Sequence, residues 1–196
     1  KRHWALFLYV ILLMTAFNAM SHGTQDMYQT FLGEQRHYGV TQKATTGISY
    51  AFGAICGGTI VGHLSQKWGR RRTIVVCCVL GIVLIPLWVF SPGYTLLVIG
   101  GFAMQFMVQG AWGIVPVHLN ELSPDAVRGT FPGFAYQLGN LFAANTAVVE
   151  AQLAYHFRDT NGHPDYAKAL GLFTLVIFIL LIFLAAVGPE KRGKEF

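Results

Sequence analysis

Charged residues are scarce in this chain. Asp, Glu, Lys and Arg make up only 12% of its 196 residues, whereas soluble domains usually carry about a quarter. Apolar residues supply 54% and the mean hydropathy is +0.47. This composition excludes an ordinary soluble domain and predicts a membrane protein. The net charge of +5 lies in short clusters between apolar runs, which is typical of loops at a membrane surface rather than of nucleic-acid binding.

Cysteine and catalytic motifs are also scarce. Cys56, Cys77 and Cys78 all fall in apolar segments without metal-ligand spacing, so they are predicted to be buried free thiols. The sequence shows no metal-spaced cluster, no nucleophile–base arrangement, no P-loop and no dinucleotide fingerprint. It therefore predicts no metal, no cofactor, no nucleic-acid partner and no enzyme activity. The first apolar run is too long for a cleavable signal peptide.

Apolar stretches long enough to cross a bilayer recur along the chain. A hydrocarbon core about 30 Å thick needs roughly 20 helical residues, and six stretches qualify. They lie near residues 4–31, 43–64, 73–91, 94–117, 130–155 and 167–188. Within the second, Gly53-x-x-x-Gly57 and Gly58-x-x-x-Gly62 have the spacing that lets two helix backbones approach closely. The sequence thus predicts an all-α, six-helix membrane bundle.

Lysine and arginine set the expected orientation. With both termini on one side, that side holds Lys1, Arg2, Lys67, Arg70, Arg71, Arg72, Arg128, Lys191, Arg192 and Lys194. The other side holds only Arg36, Lys43, Arg158 and Lys168. Because the excess of positive charge is normally cytoplasmic, both ends are predicted to face the cytoplasm. The expected location is the inner membrane of a bacterium, as a multi-pass protein.

The first apolar run ends in a polar stretch, NAMSHGTQDMYQT, that carries no turn signal. At 100° per residue, Asn18, His22, Gln25, Asp26 and Gln29 share an arc of about 100° on a helix. The stretch can therefore be the end of a membrane helix with one polar stripe. Because a charged side chain near the bilayer centre costs roughly 2.5–3.5 kcal/mol, the stripe is expected to face a water-filled cavity or other helices.

His22 and Asp26 are four residues apart, so their side chains can touch. An imidazole beside a carboxylate in a poorly solvated site suits proton coupling, and the two groups would titrate together. The competing interpretation is a stripe near the outer surface that meets interfacial water. Asp26 lies only about a turn and a half before Gly33, which keeps that alternative open.

The stretch from Asn18 to Thr30 resembles the signature of the lactate/pyruvate and sialate proton symporters of the major facilitator superfamily. That signature reads N-x-x-[S/T]-H-x-[S/T]-Q-D-x-x-x-T, and every fixed position matches. In the family it lies on the seventh of twelve membrane helices. The resemblance therefore implies that residues 1–196 hold helices seven to twelve, and that an N-terminal six-helix half belongs to the same transporter. It also implies that Asn18, His22 and Gln25 bind substrate and that His22 and Asp26 couple the proton.

Two loop stretches agree with this resemblance. GHLSQKWGRRR, from Gly62 to Arg72, is similar to the superfamily's cytoplasmic loop, with Gln66 where an aspartate is expected. ELSPDAVRG, from Glu121 to Gly129, resembles the loop between helices ten and eleven. The gate residues implied by the two loops are Gly62, Arg70, Arg71, Glu121 and Arg128. Arg70 or Arg71 is expected to pair with Glu121 or Asp125 and so close the inner side, although solvated, topology-setting charge is the alternative.

A third stretch, AYQLGN, resembles the family's eleventh helix. The resemblance implies substrate contacts from Tyr136, Gln137 and Asn140, whereas a helix-packing amide is the alternative for Gln137. Gln105 and Gln109 are four residues apart on the fourth span and are candidates for lining the cavity. Glu150 is expected near the outer end of its helix, within reach of water, with a proton role as its less favoured interpretation.

The function implied is uptake of a small monocarboxylate such as lactate or pyruvate together with a proton. A sialic acid/proton symporter, a proton-independent sugar or polyol porter and a non-transporting membrane subunit remain alternatives, as does a six-helix half that dimerises. The expected partners are the carboxylate, the proton, the lipid bilayer and the missing half. Since no basic residue lies mid-membrane in these six spans, the cationic partner of the carboxylate is expected in that half.

Overall fold

The computed structural model describes residues 4–158 and 161–190, and all regular elements in these ranges are helical. The elements in chain order are α1 (Trp4–Gln25), α2 (Tyr28–Thr30), a π-helical turn (Phe31–Gln35), α3 (Val40–Trp68), α4 (Arg70–Ile85), a second π-helical turn (Pro86–Phe90), α5 (Tyr94–Trp112), α6 (Val115–Leu122), a 3-10 turn (Asp125–Val127), α7 (Phe131–Ala143), α8 (Thr146–His156) and α9 (Tyr166–Val187).

The predicted helical bundle is confirmed, with two differences in its spans. Within the described ranges, five segments are long and apolar enough to cross a membrane: Trp4–Gln35, Val40–Trp68, Arg70–Phe90, Tyr94–Leu122 and Tyr166–Val187. The stretch predicted at 130–155 is helical as α7 and α8 but is not among the five, because polar residues such as Asn145 and Gln152 dilute its apolar content. The first segment also continues to Gln35 instead of ending near residue 31.

Glycines bring α3 and α5 into backbone contact, as their spacing predicts. A Cβ atom on Gly53 would lie 2.4 Å from the carbonyl oxygen of Phe102, and one on Gly57 would lie 2.1 Å from that of Phe106. Real Cβ atoms do not approach oxygen so closely, so the two backbones meet at a distance that only glycine allows. This contact fixes α5 beside α3 and thereby orients the polar side chains of α5.

A similar contact joins α1 to α7. A Cβ atom on Gly139 would lie 2.6 Å from the Cβ atom of Met14 and 2.8 Å from the backbone nitrogen of Thr15. Ala135 and Ala143, one turn to either side of Gly139, are also buried. Since small residues occupy this face of α7, the next residue, Asn140, is carried to the edge of the contact beside the polar stripe of α1.

An aromatic cluster packs against the C-terminal part of the first segment. The ring of Tyr28 stacks on those of Tyr50 and Trp88, with centroid distances of 5.0 and 5.3 Å. The Tyr50 hydroxyl donates to the carbonyl oxygen of Thr24 at 2.5 Å, and the Trp88 indole N–H donates to the Tyr50 oxygen at 3.0 Å. These bonds join α3 and the second π-helical turn to the residues just before Asp26.

Asp165 anchors the start of α9. Its carboxylate accepts the backbone N–H of Lys168 at 3.1 Å and the Gln35 side-chain amide at 3.0 Å, and pairs with the Lys168 ammonium at 2.9 Å. Burial opposes ionisation, but the hydrogen bonds from Lys168 and Gln35 outweigh it and lower the pKa of Asp165 below its ordinary value of 3.8. The carboxylate thus ties α9 to the end of the first segment.

The lowered pKa gives a pH prediction for stability. A depressed pKa contributes stability that is present above the ordinary value and is lost as pH falls through the folded-state value. Replacing Asp165 by asparagine keeps a capping side chain but removes the charge that pairs with Lys168. The substitution should therefore lower the unfolding free energy by about 0.2–1 kcal/mol near neutral pH and should flatten its dependence on pH below about 4. Thermal unfolding at a series of pH values measures both effects. Glu34→Gln, which changes an exposed carboxyl group, is the control, and equal pH profiles for D165N and the parent would contradict the prediction.

Candidate functional site: a polar cluster on α1, α5 and α7

The centre of the site is a histidine held between a carboxylate and an amide. His22 Nδ1 lies 3.0 Å from Asp26 Oδ2, and His22 Nε2 lies 3.3 Å from Asn140 Oδ1. The side chains of His22 and Asp26 are each 41% exposed. The predicted contact between His22 and Asp26 therefore forms. The bond between His22 and Asn140, two residues 118 positions apart in the sequence, joins α1 to α7 and orients the imidazole ring.

Two hydrogen-bond arrangements satisfy the contacts of the His22 side chain. In one, Nε2–H donates to Asn140 Oδ1, and a second proton is shared between Nδ1 and the Asp26 carboxyl group. In the other, the Asn140 amide is turned over and donates its N–H to Nε2, so that a neutral imidazole donates from Nδ1 to the Asp26 carboxylate. The two arrangements differ by one proton, and the amide of Asn140 accommodates both.

Two glutamines of α5, Gln105 and Gln109, contact the polar stripe of α1. The side-chain amide of Gln109 donates to the Ser21 hydroxyl oxygen at 3.4 Å. The same oxygen accepts from the side-chain amide of Gln25, within α1, at 2.9 Å. The buried Gln105 donates to the Thr24 hydroxyl oxygen at 3.2 Å. Gln105 is thus a buried contact between helices, whereas Gln109 and Gln25 remain partly exposed beside His22.

Asn18 is separated from this open face. Only 2% of the residue is exposed, and its side-chain amide donates to the carbonyl oxygen of Met14 at 2.9 Å. The predicted substrate contact is not available in this conformation, because α1 and its neighbours enclose the side chain. The helical arc places Asn18 on the stripe correctly, but the stripe passes from buried to exposed along its length.

The candidate residues of α7 lie on its accessible side. Tyr136 and Gln137 are exposed and Asn140 is half-buried. The Tyr136 ring packs edge-on against Trp112 at a centroid distance of 6.0 Å. Tyr136, Gln137 and Asn140 therefore present one phenol and two amides on α7, a set able to hydrogen-bond the oxygens of a small polar ligand. Of the three, Asn140 contacts His22 directly.

Three helical segments are interrupted. α1 ends at Gln25 and α2 begins at Tyr28, α5 ends at Trp112 and α6 begins at Val115, and α7 ends at Ala143 and α8 begins at Thr146. Interrupted membrane helices are typical of transporter binding sites, because they free backbone groups and allow local movement. Asp26 lies in the first of these interruptions, next to its partner His22.

The loops predicted to form an inner gate do come together. Arg70 is buried, and its guanidinium pairs with Glu121 at 3.1 Å and donates to the Ser65 hydroxyl oxygen at 2.7 Å. The Ser65 hydroxyl in turn donates to the carbonyl oxygen of Gly62 at 2.7 Å. Of the pairings left open by the sequence, the structure has Arg70 with Glu121.

The other two arginines of the predicted gate have different partners. Arg71 donates to the carbonyl oxygens of Ala185 and Ala186 at the end of α9, with 2.6 Å to the first. Such bonds satisfy carbonyl groups that lack partners in the last turn of a helix. Arg128 pairs locally with Asp125. Arg71 therefore does not pair with Glu121 or Asp125, because its side chain reaches the end of α9 first.

The buried pair of Arg70 and Glu121 makes a stability prediction. Glu121→Gln should cost about 3–5 kcal/mol, because it leaves a buried guanidinium without its counter-charge. The double variant R70M/E121M should recover most of the loss, since it removes both charges. Thermal unfolding of the three proteins in detergent measures this, and a double variant less stable than E121Q would contradict it.

Glu150 lies deeper than the sequence suggests. It was expected near the outer end of its helix within reach of water, but only 1% of the residue is exposed. The reason is tertiary, because α1 and α9 both pack against α8 and cover this face. The prediction of a water-accessible position for Glu150 is therefore wrong.

The structure shows no candidate metal centre in residues 4–158 and 161–190. Cys56, Cys77 and Cys78 are free thiols, and the last two are buried, as predicted. Cys56 is only half-buried, so the prediction of a buried thiol is wrong for this residue. The orientation prediction depends partly on Lys1, Arg2, Lys191, Arg192 and Lys194, which lie outside the described residues.

A family model and two curated transporter sequences match this chain. The family model described as "Major Facilitator Superfamily" matches residues 11–195. A carboxylic acid transporter protein homolog of Saccharomyces cerevisiae is 36% identical over the whole chain, and a probable 4-methylmuconolactone transporter of Cupriavidus pinatubonensis is 31% identical over 81% of it. The chain spans only 33% and 36% of these relatives.

A solved structure extends the comparison to the fold. The xylose transporter XylE of E. coli, in an inward-open conformation, superposes with a TM-score of 0.73 at 17% identity, covering 96% of this chain and 48% of that protein. At this identity the likeness concerns the fold alone, which is half of a transporter bundle. With a family model that matches nearly all of its length, this multi-pass, all-α chain belongs to the major facilitator superfamily of membrane transporters.

Proposed function

We propose that this chain is the C-terminal half of a transporter that moves a small organic monocarboxylate together with a proton by alternating access. The observation that carries the proposal is the contact of His22 with both Asp26 and Asn140 on a partly exposed face. A carboxylate substrate is held more easily beside Asp26 when the His22–Asp26 pair is protonated, because the negative charge of the pair is then neutralised.

The substrate oxygens would be hydrogen-bonded by Gln25, Tyr136, Gln137 and Asn140. Asn140 contacts His22, Gln25 is partly exposed one turn after Ser21, and Tyr136 and Gln137 are exposed on α7. Asn18 would support α1 from within, through its bond to Met14. A carboxylate also favours a cationic partner. The sequences of α1, α5 and α7 contain no Lys or Arg, so we assign the cation to the N-terminal half, the missing partner of this chain.

The depth of the pair supports a site inside the membrane. The first segment has 32 residues, or about 48 Å at 1.5 Å per residue. A centred hydrocarbon core of about 30 Å would leave about 9 Å at each end. Asp26 is nine residues from Gln35, or about 14 Å from the outer end, and His22 lies a further turn inward. Both groups then fall within the core thickness, which favours a cavity over interfacial water.

The inner gate would consist of Gly62, Arg70, Arg71, Glu121 and Arg128. The Arg70–Glu121 pair joins the first residue of α4 to α6, and the bonds of Arg71 join α4 to α9. Together they would hold the cytoplasmic ends closed in the outward-open state. Both chain ends would then be cytoplasmic, in a cytoplasmic membrane. A bacterial inner membrane stays a prediction.

Lactate or pyruvate is the first substrate choice, supported by the 36% identity to the yeast carboxylic acid transporter homolog. A sialic acid/proton symporter is the second. A proton-independent sugar or polyol porter is favoured by weaker matches, such as the 28% identity over 75% of the chain to the glucose transporter GlcP of Staphylococcus epidermidis. These choices differ in substrate charge and in their dependence on a proton gradient.

Uptake by the complete transporter in vesicles tests the proposal. Labelled lactate, sialate and glucose would be offered separately, with and without an imposed inward proton gradient. We expect lactate to accumulate above its external concentration only with the gradient. Glucose uptake that ignores the gradient, without lactate uptake, would replace the proposal by the sugar-porter alternative.

A further inference from the structure

A buried carboxyl group, that of Glu150, lies behind the proposed proton site. Both of its oxygens are buried and have no hydrogen-bond partner among the described residues. A Cβ atom built on Gly23 would lie 3.2 Å from Glu150 Oε1 and 2.4 Å from the ring of Phe173. The carboxyl group therefore rests against the backbone of α1 at the residue that follows His22, with an aromatic ring of α9 beside it.

The absence of donors decides the charge of this group in the present conformation. Burying an ionised carboxylate without a cation or hydrogen bonds costs several kcal/mol. Lys168 at the start of α9 pairs with Asp165, and Arg36 at the end of the first segment donates to the carbonyl oxygen of Val89. Glu150 is thus accommodated as a neutral acid, which carries a proton.

Glu150 is connected to Asp26 through α1. Its Oε1 lies against Gly23, the residue next to His22, and the imidazole of His22 lies 3.0 Å from Asp26 Oδ2. From α3, Tyr50 donates to the carbonyl oxygen of Thr24, the residue after Gly23. From α9 the facing side chain is the apolar Phe173. Two carboxyl groups so placed do not readily ionise together, so the charge of Asp26 and that of Glu150 are linked.

Both carboxyl groups also lie near helix interruptions. Asp26 is within the break between α1 and α2, and Glu150 lies in the second turn of α8, after the break at Ala144–Asn145. Movement at either break would change the contact of α8 with Gly23. Water would then reach Glu150 and make ionisation feasible.

From this arrangement we propose that Glu150 is a second proton-binding site of the transport cycle, linked to Asp26. The inference rests on the proposed function. In the step considered, the O–H bond of Glu150 breaks, an O–H bond forms on the Asp26 carboxylate, and one negative charge passes from Asp26 to Glu150. The total number of protons and the net charge are unchanged. Asp26 can then regain a proton from Glu150, a group inside the helical bundle.

The test uses the complete transporter with Glu150→Gln, which keeps the size and neutrality of the buried group but cannot release a proton. We expect loss of gradient-driven lactate accumulation, whereas exchange of labelled for unlabelled lactate at equal pH is retained. Glu150→Asp should recover part of the accumulation because it can still ionise. Glu34→Gln, the same chemical change at an exposed outer residue, should behave as the parent.

Each outcome separates this inference from the proposed function. A parent protein that ignores the proton gradient would overturn the proposed function. A parent that responds to the gradient, together with an E150Q variant that accumulates lactate equally, would overturn the role of Glu150 alone. If E150Q is poorly folded, infrared difference spectra of the parent on lactate addition decide instead. We expect lactate to change the carbonyl stretching band of a protonated carboxyl group in the parent. In E150D, no such change should occur at the same frequency. An unchanged band in the parent would overturn the inference.

Discussion

Replacing Asp26 by asparagine should make substrate uptake by the complete transporter insensitive to an imposed proton gradient. The amide matches the carboxyl group in size and can donate its N–H to His22 Nδ1, while His22 Nε2–H still donates to Asn140 Oδ1. The hydrogen bonds of the protonated pair are thus reproduced in D26N. Since the amide has no proton to release, the pair is locked in its loaded arrangement.

The D26N variant should therefore still bind substrate but should not couple its transport to a proton. Exchange of labelled for unlabelled lactate at equal pH should persist in D26N, because exchange needs no proton release. Net accumulation should disappear, so that internal lactate only reaches the external concentration. The measurement is vesicle uptake over a series of imposed pH gradients.

The control for Asp26→Asn is again Glu34→Gln, which removes a carboxyl group from the exposed outer turn of the same segment. It should keep the full gradient response. Equal accumulation by D26N and the parent at every gradient would show that the His22–Asp26 pair does not carry the coupled proton. The fold and the superfamily membership would be unaffected by that result.

Gly57→Leu should strongly reduce the stability of the protein. Even the first added carbon would lie 2.1 Å from the carbonyl oxygen of Phe106 and 2.7 Å from its Cα atom. Side-chain rotation cannot relieve a clash with backbone, so α3 and α5 must separate along the contact. We expect a loss above the roughly 1–3 kcal/mol typical of overpacked cores, measured as a lower thermal midpoint in detergent.

The neighbouring glycine supplies a matched control. A Cβ atom on Gly58 would meet only the carbonyl oxygen of Gln109, at 3.4 Å, which is an ordinary contact. Gly57→Ala should therefore destabilise the protein strongly, and Gly58→Ala only slightly, although the two residues are adjacent in one helix. Similar midpoints for the two alanine variants would contradict the proposed backbone contact between α3 and α5.

Local patterns were sufficient to locate the central pair. The i, i+4 spacing predicted the contact between His22 and Asp26, and the glycine spacing in α3 predicted its close approach to another helix. Both are properties of a single helix, so they follow from residue order and helical periodicity. The choice of α5 as the partner of α3 could not follow from that periodicity, since several helices were available.

Other features depended on which helices cover each other. Asn18 shares the stripe with His22 but is buried, because the helix packing closes one end of the stripe and leaves the other open. Glu150 was expected near water, but α1 and α9 enclose it. Asn140 became the second partner of His22 only because Gly139 lets α7 rest against α1. Residue spacing contains no information on such contacts between distant helices.

The residues alone determined that this chain is a helical membrane protein with one polar stripe and a paired imidazole and carboxyl group, because apolar length and helical periodicity are local properties. The packing of the helices decided which parts of the stripe are open, which arginine pairs with Glu121, and where Glu150 is enclosed. Burial and partner choice depend on residues far apart in the sequence, so only the tertiary structure could supply them.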